Sequence, residues 1–130
     1  MKRFLGVDWS QKRVGLAVSD ETGKFAFPNK TIAYSKTVEL VEQLRVIIEK
    51  EDIKMLVIGL PLGTMRQDTL QTQEIRQVAT ILEKELGLPT VFQDEIFTTK
   101  IAEQHSAKNV DASAAALILQ AYLDKLQNEK

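Results

Sequence analysis

Residues 1–20, MKRFLGVDWSQKRVGLAVSD, decide the fold. Phe4, Leu5 and Val7 form a short apolar run, Asp8 follows it at a strand end, and Trp9-Ser10-Gln11-Lys12 reads as a turn. Val14 to Val18 alternates small and large residues and returns antiparallel to the first run, after which Asp20-Glu21-Thr22-Gly23 supplies the next reversal. The expected product is a hairpin that carries one carboxylate at its fold-back, beside a buried sheet.

Outward from the hairpin, Lys24 to Ala33 holds Phe25, Phe27 and Ile32 around Pro28, which predicts an interrupted third strand at a sheet edge. The period then changes. From about Lys36 to Lys50, Leu40, Val41, Leu44, Ile47 and Ile48 fall at helical spacing, with Glu39, Glu42, Gln43, Arg45 and Glu49 toward solvent. Met55 to Gly59 is continuously apolar, as a strand buried on both faces should be, and Leu60-Pro61-Leu62-Gly63 stops it. A second helix is predicted from Thr69 to Leu86, with Gly87 as its C-cap and Pro89 barring continuation. Thr90 to Gln93 reads as a fifth strand ending at Asp94-Glu95. Ile96 to His105 reads as a short helix, Ser106 to Val110 as a polar connection, and a last helix starts near Asp111 and frays from Gln127. Crossovers through helices favour parallel neighbours, so the fold class is α/β, a five-stranded mixed sheet flanked by helices. No linker or repeat interrupts residues 1–130, which read as a single domain.

Bulk composition is consistent with this order without selecting it. The chain has 130 residues and is 44% hydrophobic, enough for one core. Seventeen Lys+Arg against eighteen Asp+Glu leave a formal charge of −1, so a nucleic-acid partner must be held by local groups. The absence of cysteine excludes disulfides, thiol catalysis and Cys-ligated zinc. His105 is the single histidine and has no second soft ligand near it in sequence, which argues against a zinc site. The MKRF start lacks a signal-peptide stretch and no run approaches a membrane span, so a cytoplasmic protein with no membrane partner is expected.

Carboxylates recur at element ends: Asp8 after the first strand, Asp94 and Glu95 after the fifth, Asp111 at the start of the last helix. Groups beyond the carboxyl ends of parallel strands gather around one crevice, so sequence distance does not keep these acids apart. Such oxygen donors suit Mg²⁺ or Mn²⁺, and two ions about 3.5–4 Å apart could serve phosphodiester hydrolysis. The competing role for Asp111 is an ordinary helix N-cap.

Four stretches carry a resemblance to a known family: Gly6 to Asp20, Val57 to Leu62, Asp94 to Thr99, and Val110 to Asp124. Together, in this order and over nearly the whole chain, they resemble the YqgF family, the bacterial group described as pre-16S rRNA nucleases or Holliday-junction-resolvase-like proteins. The resemblance implies a ribonuclease H-like fold, metal-dependent hydrolysis of nucleic-acid phosphodiesters, and a cytoplasmic role in ribosome biogenesis. It also implies Asp8, Glu95 and Asp111 as catalytic, metal-binding acids, with Asp94 as an adjacent metal candidate. The chain departs from the family pattern in four places. Ser10 stands where glycine is usual, Ile96 replaces an arginine, Gly63-Thr64-Met65-Arg66 interrupts an Asn-Met-Asp-Gly pattern, and the Thr99 to Asp111 connection is shorter. Isoleucine cannot replace the arginine donor fork at a phosphate or carboxylate.

For nucleic-acid contact, Lys12 and Arg13 lead because their turn adjoins Asp8, and Arg66, Lys100 and Lys108 could extend a positive rim. Thr98 could donate to phosphate or cap the short helix. Trp9 is expected to close the core rather than stack on a base. The expected substrate is structured RNA, namely pre-16S rRNA, or branched DNA, and a four-way junction would favour a homodimer because it requires symmetric cuts. The competing classes are a non-catalytic RNA-binding or assembly protein, suggested by Ile96 and the short connection, and an actin-like phosphotransferase. The latter normally needs a second lobe, for which 130 residues leave little room.

Overall fold

The computed structural model describes residues 3–94 and 110–129, with backbone alone for 110–113. β1 (Arg3–Trp9) and β2 (Arg13–Ser19) form the predicted hairpin, with pairs running from Leu5–Val18 to Trp9–Val14. β3 (Ala26–Ala33) pairs antiparallel with β2 on the outer edge, and a register shift between Gly15 and Ala17 brings Ala17 opposite Pro28. An edge is where a residue without an N–H is tolerated. The turn before β3 is built around Asp20, whose carboxylate accepts the Lys24 and Phe25 amides at 3.0 Å each. Those donors and the Thr22 hydroxyl, the largest influence, lower the Asp20 pKa to about 2.

α1 (Thr37–Glu51) and α2 (Leu70–Leu86) carry the chain across to β4 (Ile53–Leu60) and β5 (Thr90–Asp94). Both strands run parallel to β1, and the sheet order is β3-β2-β1-β4-β5. Thr69 and Thr72 form a reciprocal capping box at the start of α2, and Gly87 ends it in the left-handed region at φ 67°. α3 (Val110–Asn128) runs through Gln127 and Asn128, which the sequence reading placed in a frayed tail, and begins at Val110, which it placed in the preceding connection. The short helix expected over 96–105 lies outside the described residues.

The pleat sorts the core into two faces. Leu5, Val7, Trp9, Leu56, Ile58 and Leu60 point toward Leu40, Leu44, Ile47, Ile75 and Leu82 of α1 and α2. Phe4, Ala17 and Val57 point the other way, toward Ala115, Ile118, Leu119 and Leu123 of α3. Trp9 is 8% exposed and belongs to the first face, so it closes the core as expected. The Gln120 side chain ties α3 to the β2–β3 turn by accepting from Ala26 N–H at 2.8 Å and donating to the Lys24 carbonyl at 2.9 Å.

Candidate functional site

Asp8 is the penultimate residue of β1, inside the strand rather than beyond it, and half-buried. Strand alternation puts it with Phe4 and Gly6 on the α3 face. Directly across the hairpin stands Gly15. On the other side, Val7 is level with Ile58, so the next residue of β4, Gly59, flanks Asp8. Level with Asp8, therefore, both neighbouring strands present glycine, so neither places a side chain directly beside the carboxylate.

The same face shows how α3 approaches. Phe4 meets Tyr122 edge-on with ring centroids 6.2 Å apart. At Gly6 the helix comes so close that a Cβ would lie 2.8 Å from the Leu119 Cβ and 2.9 Å from the Ala115 carbonyl oxygen. Glycine is required there by proximity. As β1 advances toward its carboxyl end, its contacts thus move along α3 toward the helix N-terminus, where Asp111 occupies the first turn.

Asp94 ends β5 level with Leu60, and Leu60 belongs to the α1/α2 face. Asp8 and Asp94 consequently project from opposite faces of the sheet, and the structure does not bring Asp94 to Asp8. Asp94 is instead ion-paired with Arg66. Phe92, on the same face, lies 5.5 Å beneath the Arg76 guanidinium. Arg76 also holds Asp68 through two bonds of 2.9 and 3.1 Å, which keep the Asp68 carboxyl below its ordinary range. Arg66 sits in a tight turn, Thr64–Arg66, where Met65 (φ 57°) and Arg66 (φ 60°) are both left-handed. Each non-glycine residue in that region costs on the order of 1–2 kcal/mol. The turn is closed by the Gly63 amide donating to the Gln67 carbonyl at 2.8 Å and by the Thr72 hydroxyl donating to the Pro61 carbonyl.

Lys12 lies in the hairpin turn and Arg13 opens β2, the turn being stapled by the Ser10 hydroxyl donating to the Arg13 carbonyl at 2.7 Å. They line an open groove of about 460 Å³ together with Trp9, Ser10, Gln11, Gln71 and Glu74. Gln11 reaches across it to donate to Glu74 at 3.0 Å. Glu95, Thr98, Lys100 and Lys108 lie outside the described residues, and Asp111 is placed by its backbone alone. Among the described residues no group of three or more His, Asp or Glu side chains stands together. Sequence reasoning missed the Arg66–Asp94 and Asp68–Arg76 pairs, whose spacing along the chain carries no signal.

A five-stranded mixed sheet with this order and helices on both faces defines a ribonuclease H-like fold. The RuvC protein of T. thermophilus, solved with a Holliday junction substrate, matches it at a TM-score of 0.65 and 13% identity, over 98% of this chain and 97% of that one. The chain belongs to the RuvX family: the family model, described as Holliday junction resolvase, matches residues 2–125. A relative from Maridesulfovibrio salexigens, named "Putative pre-16S rRNA nuclease", is 37% identical over 93% of this chain and 97% of its own. A Pelagibacter ubique relative of the same name is 33% identical over 97% of this chain and 90% of its own.

Proposed function

We propose that the protein is a divalent-metal-dependent nuclease that processes structured RNA at the 5′ end of pre-16S rRNA in the cytoplasm. Asp8, Glu95 and Asp111 are its metal-binding carboxylates. The observation that carries this reading is the register of β1 against α3. Two residues along a strand advance about 6.6 Å and four residues along a helix about 6 Å. The step from Gly6 to Asp8 therefore matches the step from Ala115 to Asp111. Glu95 is included because it directly follows Asp94, the last residue of β5. The names of the relatives supply the choice of RNA.

The half-buried, glycine-flanked carboxylate of Asp8 fits a hard cation such as Mg²⁺ or Mn²⁺, which tolerates retained waters beside one or two carboxylates. When bound, the ion supplies charge stabilisation at phosphorus and a nucleophile at neutral pH. The chain supplies the rest. Asp8 fixes the site to the central strand of the sheet, Gly15 and Gly59 admit the phosphodiester, and Lys12 and Arg13 position the strand through phosphate contacts without reading sequence.

The test uses a labelled precursor-rRNA-like duplex with single-stranded ends and a four-way DNA junction, each with Mg²⁺ or Mn²⁺. Asp8→Asn should fold normally and lose at least about 100-fold of cleavage, the scale at which a single electrostatic group acts in catalysis. Unchanged cleavage by the pure variant would sink the assignment. The family description supports a second reading, junction resolution, which requires a homodimer for symmetric cuts. Preferential cleavage of the junction, with the RNA left intact, selects it.

A further inference from the structure

We infer that the groove beside the hairpin turn is a base-recognition site, which takes one unstacked guanine of the substrate and reads it with Glu74 and Gln71 of α2. The inference rests on the nuclease reading above and adds to it a preference for sequence. The groove, of about 460 Å³, has the size of a small-molecule pocket. Trp9 to Arg13 line it from the hairpin, and Gln71 and Glu74 line it from α2. Both walls are held from behind. The Ser10 amide donates to the Arg13 carbonyl at 2.9 Å, and the Tyr34 hydroxyl donates to the Ser10 carbonyl at 3.3 Å. Gln71 and Glu74, three residues apart, share one side of α2, whose first turn is fixed by the Thr69–Thr72 capping box.

The lining selects a base rather than a phosphate. Glu74 is half-buried, and its carboxylate repels phosphate and accepts hydrogen bonds only. Its oxygens offer about four lone-pair sites, of which the Gln11 amide takes one at 3.0 Å. Phosphate therefore stays at the rim, with Lys12 and Arg13. Single-stranded bases are read on their Watson–Crick edges, and guanine alone presents two adjacent donors there, N1–H and the N2 amino group. These match the two oxygens of Glu74, and the guanine O6 beside them accepts from the Gln71 amide. Trp9 follows Asp8 in β1, so the groove and the Asp8 carboxylate lie on opposite faces at the same end of the strand. A nucleic-acid strand crossing that end places a phosphate at Asp8 and an adjoining base in the groove.

The experiment measures binding of the full chain by fluorescence anisotropy, in a chelator so that no cleavage intervenes, at one fixed salt concentration. The probes are labelled RNA duplexes whose short single-stranded end alternates uridine with guanosine, inosine, adenosine or cytidine. The guanosine end should bind about 10-fold more tightly than the adenosine and cytidine ends, the scale of one bidentate base contact, and inosine, which lacks the N2 amino group, should lose most of that gain. Glu74→Gln should bring all the ends within about twofold of one another at an unchanged melting temperature, and Gln71→Ala, at an exposed position, should remove part of the preference. Lys12→Ala should weaken every end alike and flatten the salt dependence. Equal binding of the ends by the parent chain overturns the inference, as does the absence of binding, or a guanosine preference that persists in Glu74→Gln and Gln71→Ala. Cleavage that persists in Asp8→Asn strikes the nuclease reading alone, because the preference is read from binding, whereas metal-dependent cleavage without base preference strikes this inference alone.

Discussion

The two faces of the sheet are packed at different distances from their helices near Gly6. Against α1 and α2 stand Leu5, Val7, Leu56 and Ile58, meeting Leu40, Leu44, Ile75 and Leu82. Against α3 the sheet offers Phe4, Gly6, Ala17 and Val57, met by Ala115 near the helix start and by Ile118, Leu119 and Leu123 further along. Large aliphatics bury more apolar area and hold helices apart. Small residues give up that area and let a helix backbone approach a strand. Both faces bury large side chains, and the second adds at Gly6 a close approach of α3 to β1, two residues before Asp8.

Substitutions separate the two roles. Leu56→Ala, in a fully buried position of β4 on the aliphatic face, should cost about 2–5 kcal/mol in chemical denaturation, while the remaining folded protein cleaves normally. Gly6→Ala should cost less stability, about 1–3 kcal/mol, because the added methyl meets the Leu119 Cβ and the Ala115 carbonyl, neither of which is a flexible tip. Its effect on cleavage per folded molecule should nevertheless be the larger of the two. If both variants lose stability alone, the faces do not differ in function.

Two carboxylates extend the contrast along the sheet. Asp20, in the turn between β2 and β3, is held by local turn donors, whereas Asp8 lies near the carboxyl end of β1 beside glycines. The Asp20 pKa falls from 3.8 to about 2 on folding. A depressed carboxyl stabilises the fold above its unfolded pKa and loses that contribution as pH drops through its folded one. Melting temperature measured from pH 4 down to pH 2 should therefore fall less steeply in Asp20→Asn than in the parent chain. Equal slopes would show that the turn does not depend on the ionised form. This is the smallest of the expected effects, since Asp20 is exposed.

Much of this arrangement was legible in the residues. Val14 to Val18 alternates, Gly87 and Pro89 bound a helix, and Pro28 marks an edge, because each acts through local backbone chemistry. Asp8 stood out as a charge beside a buried strand. The facing of Asp94 was not legible, since it depends on how β1, β4 and β5 align, and that register is set by packing of both faces together. The Arg66–Asp94 pair escaped for the same reason: two left-handed residues in a turn with a single glycine have no sequence mark. The first residue of α3 was misplaced by one position, an error of the size expected at a helix end.

The proposed metal site lies on the α3 face, at Asp8. The most direct measurement is paramagnetic broadening of backbone amide signals on titration with Mn²⁺. Broadening should centre on Asp8, the facing Gly15 and the first turn of α3, spare Leu40 and Leu82 on the aliphatic face, and vanish in Asp8→Asn. Broadening that stays in Asp8→Asn, or that centres on the aliphatic face, would contradict the account.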